Sequence, residues 1–328
     1  MTDWVQPIPD LIDPLGLTGR LAGQWMFLPA VGAAFIMQGM HPVIGDVTDR
    51  YSVADRDPAG RAIRSFDATQ QWSYGGKAAI EQGYWLRRMH RPLQMTAETG
   101  DQAGKHISAL DPSAYGWVIA TAYATTVRVA PLFLGRALTD AELDEIFADN
   151  VRLARITQVP ERGYPTSRAE FDDYYRHMVD EVLIAHPALV ENLDRLAAPT
   201  AAVSKADLGG LPSWIPRGPA LAAIRRLDRP LSRFTHALTF GAMDERVRGI
   251  LGVEWTDGDE RYLERLFRLY RFALRVLPER VTYSPLAYHA RAHERVIRAM
   301  RRRELRDFTA HDKGEPSAVR RAARRSAR

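Results

Sequence analysis

Four helix starts are written chemically into this chain, and they limit its fold more tightly than any other feature. Thr139-Asp140-Ala141-Glu142 and Ser167-Arg168-Ala169-Glu170 have capping-box spacing: a hydroxyl accepts from an otherwise unpaired amide, and a glutamate three residues on reaches back. Asp111-Pro112 and Ser284-Pro285 set a capping side chain ahead of a proline at the first helical position, where the missing N–H is harmless. The periodicity behind these starts predicts helices over about 112–133, 140–157, 168–185 and 285–303. Further helical patterns run over about 58–72, 77–93, 219–240 and 258–276. No stretch between turn signals alternates apolar and polar residues, so the expected class is all-α, with no strands. One large helical domain is expected over residues 1–306, followed by a basic, disordered tail over 307–328.

The longest apolar run, Leu21 to Met40, approaches the length of a membrane span. Gln24, Pro29 and Gln38 interrupt it and neither flank carries a basic cluster, so it reads as a buried core helix, with peripheral membrane contact left open. The Gly-, Pro- and Ser-rich segment 199–219 reads as a long loop that packs through Trp214 and Ile215.

At 328 residues, 46% hydrophobic and 26% charged, the chain can enclose one core and is too apolar for a disordered polymer. Its net charge of +5 invites a nucleic-acid reading, yet residues 301–328 alone carry +6, which leaves the body near neutral. That tail has neither interleaved aromatics nor a folded reader module, so no specific nucleic acid is expected. With no cysteine there is no disulfide framework, no iron–sulfur cluster on the chain's own thiolates and no thiolate-held haem. A start without a basic region ahead of an apolar run makes the cytoplasm the expected location. Phosphate-binding glycine loops, a nucleophile elbow, His-Glu-x-x-His and paired Glu-x-x-His motifs are all missing.

Between Gly83 and Thr126 stand Arg87-Arg88-Met89-His90, then Ala109-Leu110-Asp111-Pro112, then Trp117-Val118-Ile119-Ala120-Thr121. Upstream are His41-Pro42 with Gly45-Asp46-Val47, and Asp57-Pro58-Ala59-Gly60-Arg61 running on to Ser65; downstream is Arg275-Val276-Leu277-Pro278. In order and spacing, over roughly 17–277, these motifs resemble the catalytic domain of the mpaB oxygenases and rubber oxygenases (latex-clearing proteins), haem proteins that use dioxygen on hydrophobic substrates. The resemblance implies the latex-clearing-protein fold, haem b as cofactor, and an oxidoreductase using oxygen or peroxide on a hydrophobic small molecule.

The family's last block reads Trp-Val-His-Ala-Thr, and its histidine is the residue expected to hold the haem iron; here that position is Ile119. An aliphatic side chain offers no lone pair to iron. By the resemblance, Arg87, His90, Trp117, Ile119, Thr121 and His41 of the family's histidine–proline turn line the cofactor. The rubber oxygenases place an arginine and a lysine on the distal side of the haem, and Arg87 and His90 match those two positions. The resemblance therefore makes Arg87 and His90 the catalytic candidates, with His90 as the metal-binding one. Other readings stay open: Arg87, Arg88 and Arg91 form a solvated helix face, or the chain is a haem-free member that holds an apolar ligand or a partner. His106 falls on an expected polar loop, and His289 and His293, four apart, on a wet basic face. His177 is expected to face the core or a neighbouring helix, and His236 to line a pocket if 231–240 is buried.

Overall fold

The computed structural model describes residues 10–52, 58–160, 162, 164–197 and 216–303. Its first helices are α1 (Leu17–Leu21), α2 (Leu28–Gly39), α3 (Pro42–Tyr51), α4 (Pro58–Tyr74) and α5 (Ala78–His90), followed by a hairpin of β1 (Gln94–Thr96) and β2 (His106–Ser108). Then come α6 (Pro112–Leu134), α7 (Asp140–Ile156), α8 (Arg168–His177), α9 (Pro187–Ala197), α10 (Arg217–Arg226) and α11 (Asp228–Phe240). The described chain closes with α12 (Glu245–Ile250), α13 (Asp257–Val276), α14 (Glu279–Thr282) and α15 (Pro285–Arg302). The protein is all-α apart from that one small antiparallel hairpin.

The chemically marked starts form as the sequence dictates. Asp111 accepts from the amides of Ser113 and Ala114 at the head of α6, and Thr139 and Glu142 complete a reciprocal box on α7. Ser167 and Ser284 accept from Glu170 and Ala287. Gly135, at φ 72°, ends α6 in the left-handed conformation that glycine adopts without strain.

α6 is the buried axis of the molecule. On one side the Trp117 indole donates to the Met37 carbonyl at 2.8 Å, filling one of the acceptors left open near the end of α2. Gln38 of α2 donates to Thr121 at 3.1 Å. Trp117 packs on Tyr175 with ring centres 5.7 Å apart. Tyr123 packs edge-on against Phe147 of α7 and Phe171 of α8, and Phe133 meets Phe267 of α13 at 4.9 Å. Among the described residues α6 is the one helix long and apolar enough to cross a membrane. Here the aromatic side chains of α7, α8 and α13 and the body of α2 cover it.

Several expected boundaries shift for local reasons. The run from Leu21 to Met40 breaks into α1, a short turn at Trp25–Phe27, and α2, whose first turn takes Pro29. The expected helix over 168–185 loosens at His177 into a π turn, Met178–Val182, after which the Ile184 amide donates to the Met40 carbonyl. The pattern over 219–240 divides at Leu227 into α10 and α11.

The expectation of no strands is corrected by the hairpin. Gly100 and Gly104, both at positive φ, let the chain reverse. Met95 and Ile107 then pair and bury against Val43 and Val47. Asp46 on α3 ties this unit down, accepting from the amides of Glu98 (2.7 Å) and Thr99 (3.1 Å) and from the Thr99 hydroxyl (2.8 Å). His186 bonds the same carboxylate at 2.9 Å. The imidazole lies so close to Gly45 that a side-chain carbon there would sit 2.2 Å from the ring. Most of the expected loop 199–219, with Trp214 and Ile215, and the expected tail 307–328 lie outside the described residues, as does Asp57.

Replacing Trp117 with Phe keeps an aromatic ring but removes the donor and part of the packed volume, leaving a buried carbonyl at the end of α2 unpaired. The expected loss is about 1–3 kcal/mol of stability, read as a lower urea midpoint at unchanged slope. An unchanged midpoint would show that this bond does not hold α2 to α6.

Candidate functional site

Gly83 decides where the Arg87–His90 turn sits. A side-chain carbon at Gly83 would lie 1.7 Å from the Ile156 carbonyl, so only glycine lets α5 press against the end of α7. One turn and two turns further along α5, Arg87 and His90 come to Tyr115 of α6. The Tyr115 hydroxyl donates to the Thr157 carbonyl at 2.7 Å, and the His90 ring meets Tyr115 edge-on with ring centres 6.1 Å apart. Arg87 reaches out to the Gln158 carbonyl at 3.5 Å. Burial pushes the Tyr115 hydroxyl well above the ordinary tyrosine range, and the Arg87 charge opposes that shift.

His90 is half-buried, and its Nδ1 is buried without a hydrogen-bond partner. Burial, with the Arg61 guanidinium beside it, lowers the His90 pKa; the Leu86 carbonyl offsets part of this. Arg61 itself donates to Ser65 at 2.8 Å. Two segments distant in sequence, the one around Arg61 and the one around Arg87, thus meet at a single imidazole. Tyr115 and Arg61 are members of this cluster that sequence reasoning did not single out, although Arg61 lay within a recognised motif.

α6 divides the other expected residues between two sides. Trp117 and Thr121, one turn apart, both bond to α2. Ile119 lies about 200° around the helix from Trp117, on the side of Tyr115. It is 2% exposed and packed in the apolar core. The Asn150 amide of α7, oriented to satisfy its bonds, donates to the Ile119 carbonyl at 3.0 Å. The expected cofactor-lining set is therefore not gathered into one place.

His41, at the turn between α2 and α3, is buried with neither ring nitrogen hydrogen-bonded. Burial lowers its pKa to about 4, against a smaller opposing pull from Asp111. Its ring is neutral at physiological pH.

The remaining histidines separate from this cluster. His106 is exposed on the hairpin, bonded to Gln94 at 3.1 Å. His289 and His293 are exposed on α15, and no group of three metal-binding side chains forms among the described residues. His177, expected to face inward, is exposed because Phe171, Tyr174, Tyr175 and Met178 form the inward face and leave it on the outer side of α8. His236 lines a surface hollow of about 640 Å³ with Arg233, Thr239, Glu254 and Asp259, stacked on Trp255. A second hollow, of about 650 Å³, is lined by Asp13, Glu145, Asp149 and Arg152. Neither touches His90 or Ile119. The buried His186–Asp46 pair had no signal of its own in the sequence beyond Gly45-Asp46, because its partners are 140 residues apart.

A family model described as "ER-bound oxygenase mpaB/B'/Rubber oxygenase, catalytic domain" matches residues 19–272. Among curated proteins, the uncharacterized protein Rv2237 of Mycobacterium tuberculosis and the uncharacterized protein Mb2261 of Mycobacterium bovis are each 28% identical over 191 residues. The matched stretch covers 58% of this chain and 64% of each relative, less than two thirds of their length. No solved structure gives a significant match.

The buried, neutral His41 sets an acid limit on stability. In the unfolded chain its ring takes a proton near pH 6.5, whereas in the folded chain it does so near pH 4. Its contribution is complete above pH 6.5 and is lost as pH falls toward 4, by about 3 kcal/mol. Urea titrations of the protein and of His41→Gln across this range should show the variant less sensitive to acid. Parallel curves would mean that the ring titrates normally.

Proposed function

The chain belongs to the mpaB/rubber oxygenase catalytic-domain family, and we propose that within it the chain is an oxygenase-type oxidoreductase acting on a hydrophobic small molecule, with His90 rather than residue 119 as its reacting nitrogen. The observation that carries this reading is the placement of the His90 ring, half-buried edge-on to Tyr115 with the Arg61 guanidinium beside it.

Haem b is the group the family implies, and the residues here answer to it unequally. Position 119 does not fit as a ligand, since isoleucine has no donor atom and this one is enclosed by apolar packing. His90 fits by donor chemistry: burial and the Arg61 charge favour the neutral ring, which is the form that offers a lone pair to iron. His41 is also neutral with free nitrogens, but it sits near the α2 side of the molecule that Trp117 and Thr121 bind. When bound, haem supplies activation of dioxygen or peroxide.

The chain's own groups supply the rest. His90 would hold the iron, or take and return a proton. Arg61 and Arg87 provide positive charge near the ring, which favours negative charge developing on an oxidant or substrate oxygen. Tyr115 fixes one wall through its bond to Thr157. Trp85 and Met89, one turn apart and exposed on α5, offer apolar surface to an approaching substrate.

A specific observation favours a second reading. Ile119 and Tyr115 fill their side of α6, and the two hollows lined by His236 and by Asp149 lie elsewhere. In that reading the chain is a haem-free member that binds an apolar ligand or a partner.

Expression with haem supplied, followed by absorbance in the Soret region, separates the two. The expected result is a Soret band in the protein and in Ile119→Ala, and its loss in a folded His90→Ala variant. A colourless parent protein overturns the oxygenase reading in favour of the haem-free one. A band unchanged in His90→Ala removes His90 from its role.

A further inference from the structure

α13 carries apolar side chains on two sides, and only one of them is used by the core. Leu263 and Phe267 are buried, and Tyr270 packs on Phe133 and bonds Gln24 at 2.7 Å. Leu269, Phe272 and Val276 point the other way and are 68%, 64% and 65% exposed. Their spacing of three and four residues makes them a single stripe along the helix. Leu277 and Val281 extend it across the corner into α14, both exposed.

The exposed charges along the α13 part of this stripe are of one sign, and Glu279 at the corner is held by Arg291 and Arg295. The acidic residues of α13, Asp257, Asp259, Glu260 and Glu264, all lie in its first half, and residues 265–276 contain four arginines and no carboxylate. Arg271 turns inward to the Leu132 carbonyl. Arg265, Arg268 and Arg275 are exposed, as is Arg280 on α14, and none of these four makes an ion pair among the described residues. Apolar side chains this exposed, contiguous and flanked by unpaired cations mark an interaction surface.

We propose that the outer face of α13, with the corner it makes with α14, docks on an anionic lipid surface. An amphipathic helix lying in the membrane interface buries Phe, Leu and Val at the acyl boundary while arginines extend their heads to lipid phosphates, and α13 has that composition and spacing. A second copy of the chain fits less well. A two-fold interface sets the same patch against itself and would bring these unpaired arginines together without a carboxylate between them. The surface is independent of the chemistry assigned to His90 and lies on a different element. It lies apart from the apolar run at Leu21–Met40, most of which packs in the core.

The test is flotation of the full chain with phosphatidylcholine vesicles and with phosphatidylcholine vesicles containing phosphatidylglycerol, alongside light scattering of the protein alone. The expected result is binding to the anionic vesicles only, weakened by salt. Leu269→Ser with Phe272→Ser, and separately Arg268→Gln with Arg275→Gln, should each lower the bound fraction about tenfold. Circular dichroism and thermal midpoint should stay near those of the parent, since the altered side chains are exposed. Failure to float with anionic vesicles overturns the proposal, and so does equal flotation of the variants. A concentration-dependent dimer that the apolar variant abolishes would assign the face to a second copy instead.

Discussion

The bond from the Trp117 indole to the Met37 carbonyl fastens together the two helices on which the rest of the structure depends. α6 is apolar around most of its circumference and cannot remain in water, so it must be covered on every side. α2, α7, α8 and α13 do this, with aromatic rings from the last three meeting rings on α6. A helix so enclosed has little freedom to hold both a packed core and an open cofactor cleft along the same turns.

That restriction accounts for the division of residues around α6. Trp117 and Thr121 spend their polar atoms on α2, and Ile119 spends its side chain on core packing. What remains chemically free stands at the margin of α6, where Gly83 allows α5 to press in and deliver His90 to Tyr115. α13 follows the same logic at the surface: one stripe is consumed by the core, and the second is left for something outside the molecule.

Much of this was legible in the sequence. The capping pairs at Asp111, Thr139, Ser167 and Ser284 fixed four helix starts because a cap is a local interaction between residues two or three apart. The hairpin at 94–108 was missed because each strand is three residues long, too short to show alternation, and its stability comes from α3. The meeting of Arg61 with His90, and of His90 and Arg87 with Tyr115, was only half legible. Spacing placed Arg87 and His90 one turn apart, but the approach of α4 and the position of Tyr115 depend on packing between distant segments. His186 was silent for the same reason, since nothing near it in sequence names Asp46 as its partner. His177 was misplaced because the inward face of α8 is the one carrying Phe171, Tyr174, Tyr175 and Met178, which leaves His177 outside it.

The most direct measurement of whether His90 is the free, neutral nitrogen of this fold is a histidine-selective NMR titration, repeated with ferric haem added. The expected result is a His90 ring that titrates below the ordinary imidazole value of about 6.5, with its resonances strongly shifted or broadened by haem. A ring that titrates at or above that value and ignores haem would contradict the assignment of chemistry to His90.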